Sequence, residues 1–394
     1  MAKKIISSFF FFFLFTTCII ASEINISSDK YILYNLNDNS VLIEKDSNDR
    51  TQIASLTKLM TIIVAIENIN NYDDKVIITH DMIKDITRDI SVVGFKEGET
   101  VTYNDLLYGA MLPSGADAVN ALAISISGSL DKYLMLMNSK AVDLGLKNTH
   151  FSNVIGLTDS QNYSSAYDVA QILMYALKNE KFKEVFTAKS YVLTNGKKVN
   201  ATVQRFDNKY ILGSKTGYTS KAGRCLASIS TFDDVNYLMV TLNNYNKDSS
   251  FIEETVNTYK YYDENYSYKK VVDKDDIVVT LKTKYAKEKS VDIKANVEYS
   301  FYLKNDFKKE DVKFLYEGRD EVSYFTLPGK IIGKAKILYK DEVLDSFDLL
   351  YNENLSFDYI SFIMINKRYI ISAGLVLMVI IISSILKRKR YSKI

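Results

Sequence analysis

The chain has 394 residues, 47% hydrophobic and 25% charged, which suits two or three globular domains rather than a disordered or fibrous chain. A formal net charge of +2 gives no electrostatic reason to expect nucleic acid as a partner. The two histidines, His80 and His150, are too few for a histidine-based zinc site or a well-supported Ser-His-Asp triad, so neither a metal nor another cofactor is expected.

Residues 1–22 read as a secretory signal: Lys3 and Lys4 precede an apolar core over 9–20, and Ala21 and Ser22 offer a small cleavage position. Cys18 would leave with that segment, so the mature chain keeps Cys225 alone and no internal disulfide is expected. Tyr31-Ile32-Leu33-Tyr34 and Val41-Leu42-Ile43 flank Asn37-Asp38-Asn39-Ser40, a hairpin pattern. Ala54-Ser55-Leu56-Thr57-Lys58 then opens a run over 59–66 that is apolar on every side apart from Thr61, which predicts a helix buried within the domain.

Further helices are predicted over 105–111, 117–126, 130–144, 169–177 and 252–262, and strands over 191–194, 211–215, 225–232 and 237–242. Helices set between an early hairpin and late strands predict an α+β domain over 23–265, its helices packed on an antiparallel sheet in which both ends of the domain meet. Residues 266–350 carry short strands with little helix between them and read as a small β-sandwich domain, followed by a juxtamembrane linker over 351–368. The uncharged apolar run over 369–386 has the length of a transmembrane helix. Lys387-Arg388-Lys389-Arg390 opens a basic tail over 387–394; basic flanks stay cytoplasmic, so the body is expected on the extracytoplasmic face of the cell membrane.

Ser55 and Lys58 lie three positions apart, one turn on a helix. A serine hydroxyl is a weak nucleophile until a base takes its proton. A lysine serves as that base only when its pKa falls from about 10.4, and burial has that effect. The S-x-x-K spacing also occurs at Ser27, Ser129, Ser267 and Ser384, where it reads simply as a capped helix or loop. Only Ser55 opens a long apolar helix and is followed, at domain-scale distances, by two partners. These are Pro113-Ser114-Gly115, a turn, and Lys215-Thr216-Gly217, the sole Lys-Thr-Gly, at the end of a predicted strand. Three elements in this order match the serine acyltransferases that include penicillin-binding proteins and class A β-lactamases.

On these motifs the chain resembles the D-alanyl-D-alanine carboxypeptidases of the low-molecular-mass penicillin-binding protein family. Glu44-Lys45, Leu106-Leu107, Asp117-Ala118, Phe151 with Gly156-Leu157, Tyr163-Ser164 and the stretch from Gly213 to Thr219 with Ala222-Gly223 extend the likeness. It is strong over about 25–265 and weaker over 271–350. The resemblance implies a β-lactamase/transpeptidase-like catalytic domain with Ser55 as nucleophile, Lys58 as base and Ser114 as proton relay. It implies Lys215, Thr216, Gly217 and Tyr218 as substrate-binding residues, with an oxyanion hole from the backbone N–H groups of Ser55 and Tyr218. Peptidoglycan stem pentapeptides are the implied substrates, losing their terminal D-alanine, and β-lactam antibiotics the implied covalent inhibitors.

Two departures stand out. Ser114-Gly115-Ala116 replaces the family's Ser-Gly-Asn, which leaves a weakly active or inactive cell-wall-binding protein as an alternative unless Asp117 or Asn120 compensates for the missing amide. The apolar run over 369–386 replaces the amphipathic anchor of many relatives. An endopeptidase or transpeptidase would use the same motifs. A class A β-lactamase would need a deacylating glutamate, and neither Glu180 nor Glu184, the glutamates between Ser114 and Lys215, has the sequence setting for that role.

Overall fold

The computed structural model describes residues 24–203, 210–246 and 250–391, with side chains as far as residue 386; the expected signal segment and Cys18 lie outside the described residues. The chain divides into one unit ending at Glu264 and another beginning at Asn265.

The first unit begins with a hairpin, β1 (Lys30–Asn35) and β2 (Ser40–Lys45), then a 3₁₀ turn over Ala54–Leu56 and helix α1 (Thr57–Asn68). There follow β3 (Lys75–Ile77), α2 (His80–Ile83), β4 (Thr100–Thr102), α3 (Tyr103–Met111), α4 (Ala116–Ser127), α5 (Leu130–Asp143), α6 (Ala166–Ala176) and α7 (Glu180–Thr187). The unit closes with β5 (Ser190–Val192), β6 (Lys198–Asn200), β7 (Gly213–Thr219), β8 (Gly223–Phe232), β9 (Val235–Asn244) and α8 (Ser250–Asn265).

Five strands form one sheet in the order β2-β1-β9-β8-β7, each pair antiparallel. The expected meeting of the domain's two ends is the β1–β9 pairing, with Leu33 opposite Met239. β8 turns into β9 through Asp233 and Asp234, both at positive φ (40° and 67°), the backbone hand that suits a tight hairpin between twisted strands. Side chains on a strand alternate between faces, and β8 uses both. Cys225, Ala227 and Ile229 join the large helical core, whereas Leu226 joins Phe251, Ile252 and Val256 of α8. Ser228, on the α8 side, sits 2.9 Å from the Tyr259 hydroxyl. The sheet is thus covered on both faces.

Helix α1 is buried from Thr57 to Ile66, as its all-round apolar run predicts. Its one buried hydroxyl at mid-helix, Thr61, donates to the Val154 carbonyl at 2.8 Å, and the Thr61 carbonyl accepts from Tyr133 at 2.7 Å. Helix α7 was not expected from the sequence. Asn179 caps it, accepting from the Phe182 N–H at 3.1 Å, and Phe182, Val185 and Phe186 are buried at helical spacing.

The second unit is β-rich, as expected. Its strands are β10 (Tyr266–Val272), β11 (Ile277–Lys284), β12 (Ser290–Lys294), β13 (Tyr299–Lys304), β14 (Val312–Gly318), β15 (Glu321–Ser323), β16 (Lys330–Tyr339) and β17 (Glu342–Tyr351). They form sheets ordered β10-β13, β12-β11-β15 and β14-β16-β17 around a core that includes Val271, Leu281, Ile293, Ala335, Ile337 and Leu349. A long helix, α9 (Tyr359–Tyr391), follows. Its stretch Tyr359–Leu386 is 28 residues long and contains an 18-residue window of mean hydropathy 2.6 with none of that window buried, long and apolar enough to cross a membrane.

Candidate active site

Ser55 lies in the 3₁₀ turn Ala54–Leu56, just ahead of α1 rather than on its first α-helical turn. Ala54 before it has φ 47°, a left-handed conformation that costs a non-glycine residue on the order of 1–3 kcal/mol. Two glycines allow that turn its neighbours. A Cβ on Gly156 would lie 2.0 Å from the Ala54 carbonyl oxygen, and a Cβ on Gly217 would lie 2.9 Å from the Ser55 nitrogen. β7, the edge strand of the sheet, therefore runs hard against the backbone of Ser55. The Lys-Thr-Gly motif falls in the interior of β7, not at a strand end as the sequence suggested, because the extended backbone continues through Tyr218 and Thr219.

Lys58 Nζ is 2.9 Å from Ser55 Oγ and donates to the Ile155 carbonyl at 2.7 Å. Burial holds its pKa well below the usual lysine value, and the Lys215 charge pushes it the same way. Lys215 is also buried, donates to the Thr216 carbonyl at 2.9 Å, and is brought down by burial to about 7. Neither lysine has a carboxylate partner among the described residues. An unpaired buried lysine minimises its cost by shedding its proton, which turns Lys58 into a base beside the hydroxyl.

Ser114 sits between α3 and α4 with φ 63°, and its hydroxyl is buried without a hydrogen-bond partner. Its loop is pinned on both sides: Gly115 N–H donates to the Gly109 carbonyl at 2.9 Å, and Ala116 N–H to the Ser91 carbonyl at 2.8 Å. The Ser114 hydroxyl thus has a hydrogen bond left to give or accept. Ser55, Ser114, Thr216, Gly217 and Tyr218 line one cleft of about 410 Å³. Thr216 Oγ1 is 2.7 Å from Thr202 Oγ1.

Neither proposed stand-in for the missing amide reaches this cleft. Asp117 accepts from the N–H groups of Val93 (2.8 Å), Gly94 (2.7 Å) and Phe95 (3.1 Å), so its carboxylate is committed to the loop between α2 and β4. Asn120, one turn along α4, is buried but does not line the cleft, and Ala116 is fully buried. Glu180 and Glu184 are likewise outside the cleft; Glu184 accepts from the Tyr108 hydroxyl. Cys225 is free and buried, its thiol pushed up to about 12 by that burial.

Asp89, Ser91, Thr202, Arg224 and Phe251, none of them expected from the sequence, share the cleft wall. Of these, Arg224 had a legible signal. β7 and β8 pair so that Tyr218 faces Arg224, and the guanidinium sits 5.2 Å from the Tyr218 ring centre. A hairpin turning at Gly223 fixes that register. The other four come from distant loops and helices that only the fold brings together.

The family model for D-alanyl-D-alanine carboxypeptidases matches residues 17–246. The D-alanyl-D-alanine carboxypeptidase DacF of Bacillus subtilis is 29% identical over 348 residues, covering 85% of this chain and 87% of its own. DacA of Escherichia coli K12, of the same description, is 35% identical over 217 residues, 52% of this chain and 53% of its own. The crystal structure of the D-alanyl-D-alanine carboxypeptidase DacD from Francisella tularensis shares the fold with a TM-score of 0.69 at 21% identity, covering 85% of this chain and 95% of that one. With Ser55 beside Lys58, with Ser55, Ser114, Thr216 and Gly217 lining one cleft, and with a family match over residues 17–246, this chain belongs to the D-alanyl-D-alanine carboxypeptidases, serine-type peptidases of the penicillin-binding class.

Proposed function

We propose that Ser55 carries out the carboxypeptidase reaction on the terminal D-alanine of peptidoglycan stem pentapeptides. The observation that carries this reading is the 2.9 Å contact between Ser55 Oγ and a buried lysine amine held below its usual pKa. Lys58 takes the hydroxyl proton as Oγ bonds to the carbonyl carbon between the two D-alanines. The backbone N–H groups of Ser55 and Tyr218 stabilise the oxyanion; one such donor is worth about a hundred- to a thousand-fold in rate. As the C–N bond breaks, Ser114 delivers a proton to the departing amine. Water then attacks the ester, its proton returns through Lys58, and the tetrapeptide leaves.

Lys215 and Thr216 recognise the D-alanine carboxylate: a carboxylate brought beside the buried, unpaired Lys215 amine favours its protonated form, and the Thr202–Thr216 hydroxyl pair lies at the cleft wall. Gly217 lets that strand approach Ser55. A β-lactam acylates Ser55 in the same way and stays attached, since no glutamate lines the cleft among the described residues to activate water against it. Residues 23–265 form the catalytic domain and 266–350 the β domain. α9 crosses the membrane once, and the basic residues 387–390 place its far end in the cytoplasm and the catalytic unit outside.

The test is covalent labelling by a fluorescent penicillin together with D-alanine release from a pentapeptide. Ser55→Ala should lose both while unfolding at the wild-type urea concentration. Labelling of the mutant at the wild-type level would place the nucleophile elsewhere.

A further inference from the structure

The β-rich unit ends in a cluster of aromatic rings. Phe357 lies 4.9 Å from Tyr324, 4.6 Å from Tyr359 and 5.6 Å from Phe362, centre to centre. Phe325 lies 5.9 Å from Phe357 and 6.2 Å from Phe362. Tyr285 closes the group, 5.1 Å from Phe362, with its hydroxyl 3.4 Å from Asn366 Oδ1 on α9. The first two turns of α9 are thereby seated on the loop that joins β15 to β16.

That loop is built rather than loose. Tyr324 N–H donates to the Lys284 carbonyl at 3.0 Å, Thr326 N–H to the Ser323 carbonyl at 2.8 Å, and Gly329 N–H to the Tyr351 carbonyl at 2.8 Å. Ser323 N–H donates to Thr326 Oγ1 at 3.0 Å. Yet its apolar side chains face outward: Phe325 is 56% exposed and Leu327 71%, beside Tyr359 at 73% and Ile360 at 76% on the helix. A water-facing loop has no reason to hold two such residues rigidly in solvent.

We infer that this collar, the β15–β16 loop with the first two turns of α9, enters the headgroup layer of a lipid bilayer and seats the β-rich unit on the membrane surface. The inference rests on the reading of α9 as a membrane span. Tyr359–Leu386 is 28 residues, about 42 Å at 1.5 Å per residue. A hydrocarbon core of about 30 Å leaves a surplus of roughly 12 Å. The uncharged run begins only after Lys367 and Arg368, whose long side chains reach to headgroup phosphates from that depth. The surplus is therefore the Tyr359–Asn366 end, where the collar sits. Tyrosines with one apolar and one polar end favour that interfacial layer, and the exposed Phe325, Leu327 and Ile360 gain the apolar contact that water denies them. The span then does more than tether: two contact points on one rigid unit fix its tilt on the membrane surface.

The chain lacks tryptophan, so a single introduced one reports its own depth. Three full-length variants, Phe325→Trp in the loop, Leu377→Trp in mid-span and Leu315→Trp on β14, are reconstituted separately. The vesicles are phosphatidylcholine–phosphatidylglycerol with acyl chains brominated either near the headgroup or near the bilayer centre. Phe325→Trp should show blue-shifted emission and lose most of it to the shallow bromines, Leu377→Trp to the deep ones, and Leu315→Trp to neither. Water-like, unquenched emission from Phe325→Trp with Leu377→Trp quenched overturns the collar and leaves the span intact. Unquenched emission from Leu377→Trp overturns the span itself. Equal quenching of Leu315→Trp and Phe325→Trp overturns the collar as the specific contact.

Discussion

Replacing Lys215 by methionine should stabilise the fold while abolishing activity. Burial brings the Lys215 ammonium from 10.5 to about 7 in the folded chain. In the unfolded chain it titrates near 10.4. Between those values the unfolded state binds a proton that the folded state rejects, so stability climbs as pH rises from about 7 to about 10.4 and is lowest below that window. The gap of about 3.5 pH units corresponds to roughly 5 kcal/mol of destabilisation at or below neutral pH. Methionine has nearly the same length, no charge to desolvate, and costs under about 1.5 kcal/mol as a volume-conserving swap. It also forfeits the bond to the Thr216 carbonyl, about 1 kcal/mol. The net gain at pH 7 is then roughly 2–4 kcal/mol. It should shrink to nothing or reverse near pH 10.5. Urea midpoints from pulse proteolysis of the full chain in detergent, at pH 7 and pH 10, measure both ends of that window, and penicillin labelling measures the lost function. A variant less stable than wild type at pH 7, or a gap independent of pH, would show that Lys215 is not held against a desolvation cost.

Two further outcomes follow from the geometry. Gly217→Ala puts a methyl 2.9 Å from the Ser55 nitrogen and forces β7 off the Ala54–Leu56 turn; a displacement of that size should slow penicillin acylation by about a hundred-fold, and a rate within about three-fold of wild type would refute the close approach. Asp117→Ala strips the acceptor from three backbone N–H groups at Val93, Gly94 and Phe95, so the urea midpoint should fall by the equivalent of about 3 kcal/mol, with acylation falling as the Ser91 wall loosens; a loss under about 1 kcal/mol would free Asp117 for another role.

Residue identity and spacing establish which chemical groups are present, and in what order. Ser55 and Lys58 are adjacent on a local turn, so their contact follows from spacing alone. The α+β architecture was also legible, because hydrophobic period distinguishes the buried helix α1 from the alternating strands, and an early hairpin with late strands leaves one antiparallel closure. The apolar run within α9 announces itself by length and lack of charge. Tertiary structure decided the rest. A lysine's charge state depends on the water taken from it, and only packing shows that Lys58 and Lys215 are both buried with no carboxylate partner among the described residues. Asp117 and Asn120 stood equal as candidates beside Ala116 until the fold committed one to the loop at Val93 and buried the other without a place in the cleft wall. Strain at Ala54 and Ser114 is likewise invisible in residue type, since it is imposed by the segments packed around them. Asp89, Ser91 and Phe251 reach Ser55 only because the sheet and helices fold three distant stretches onto one cleft, and no local pattern encodes that distance.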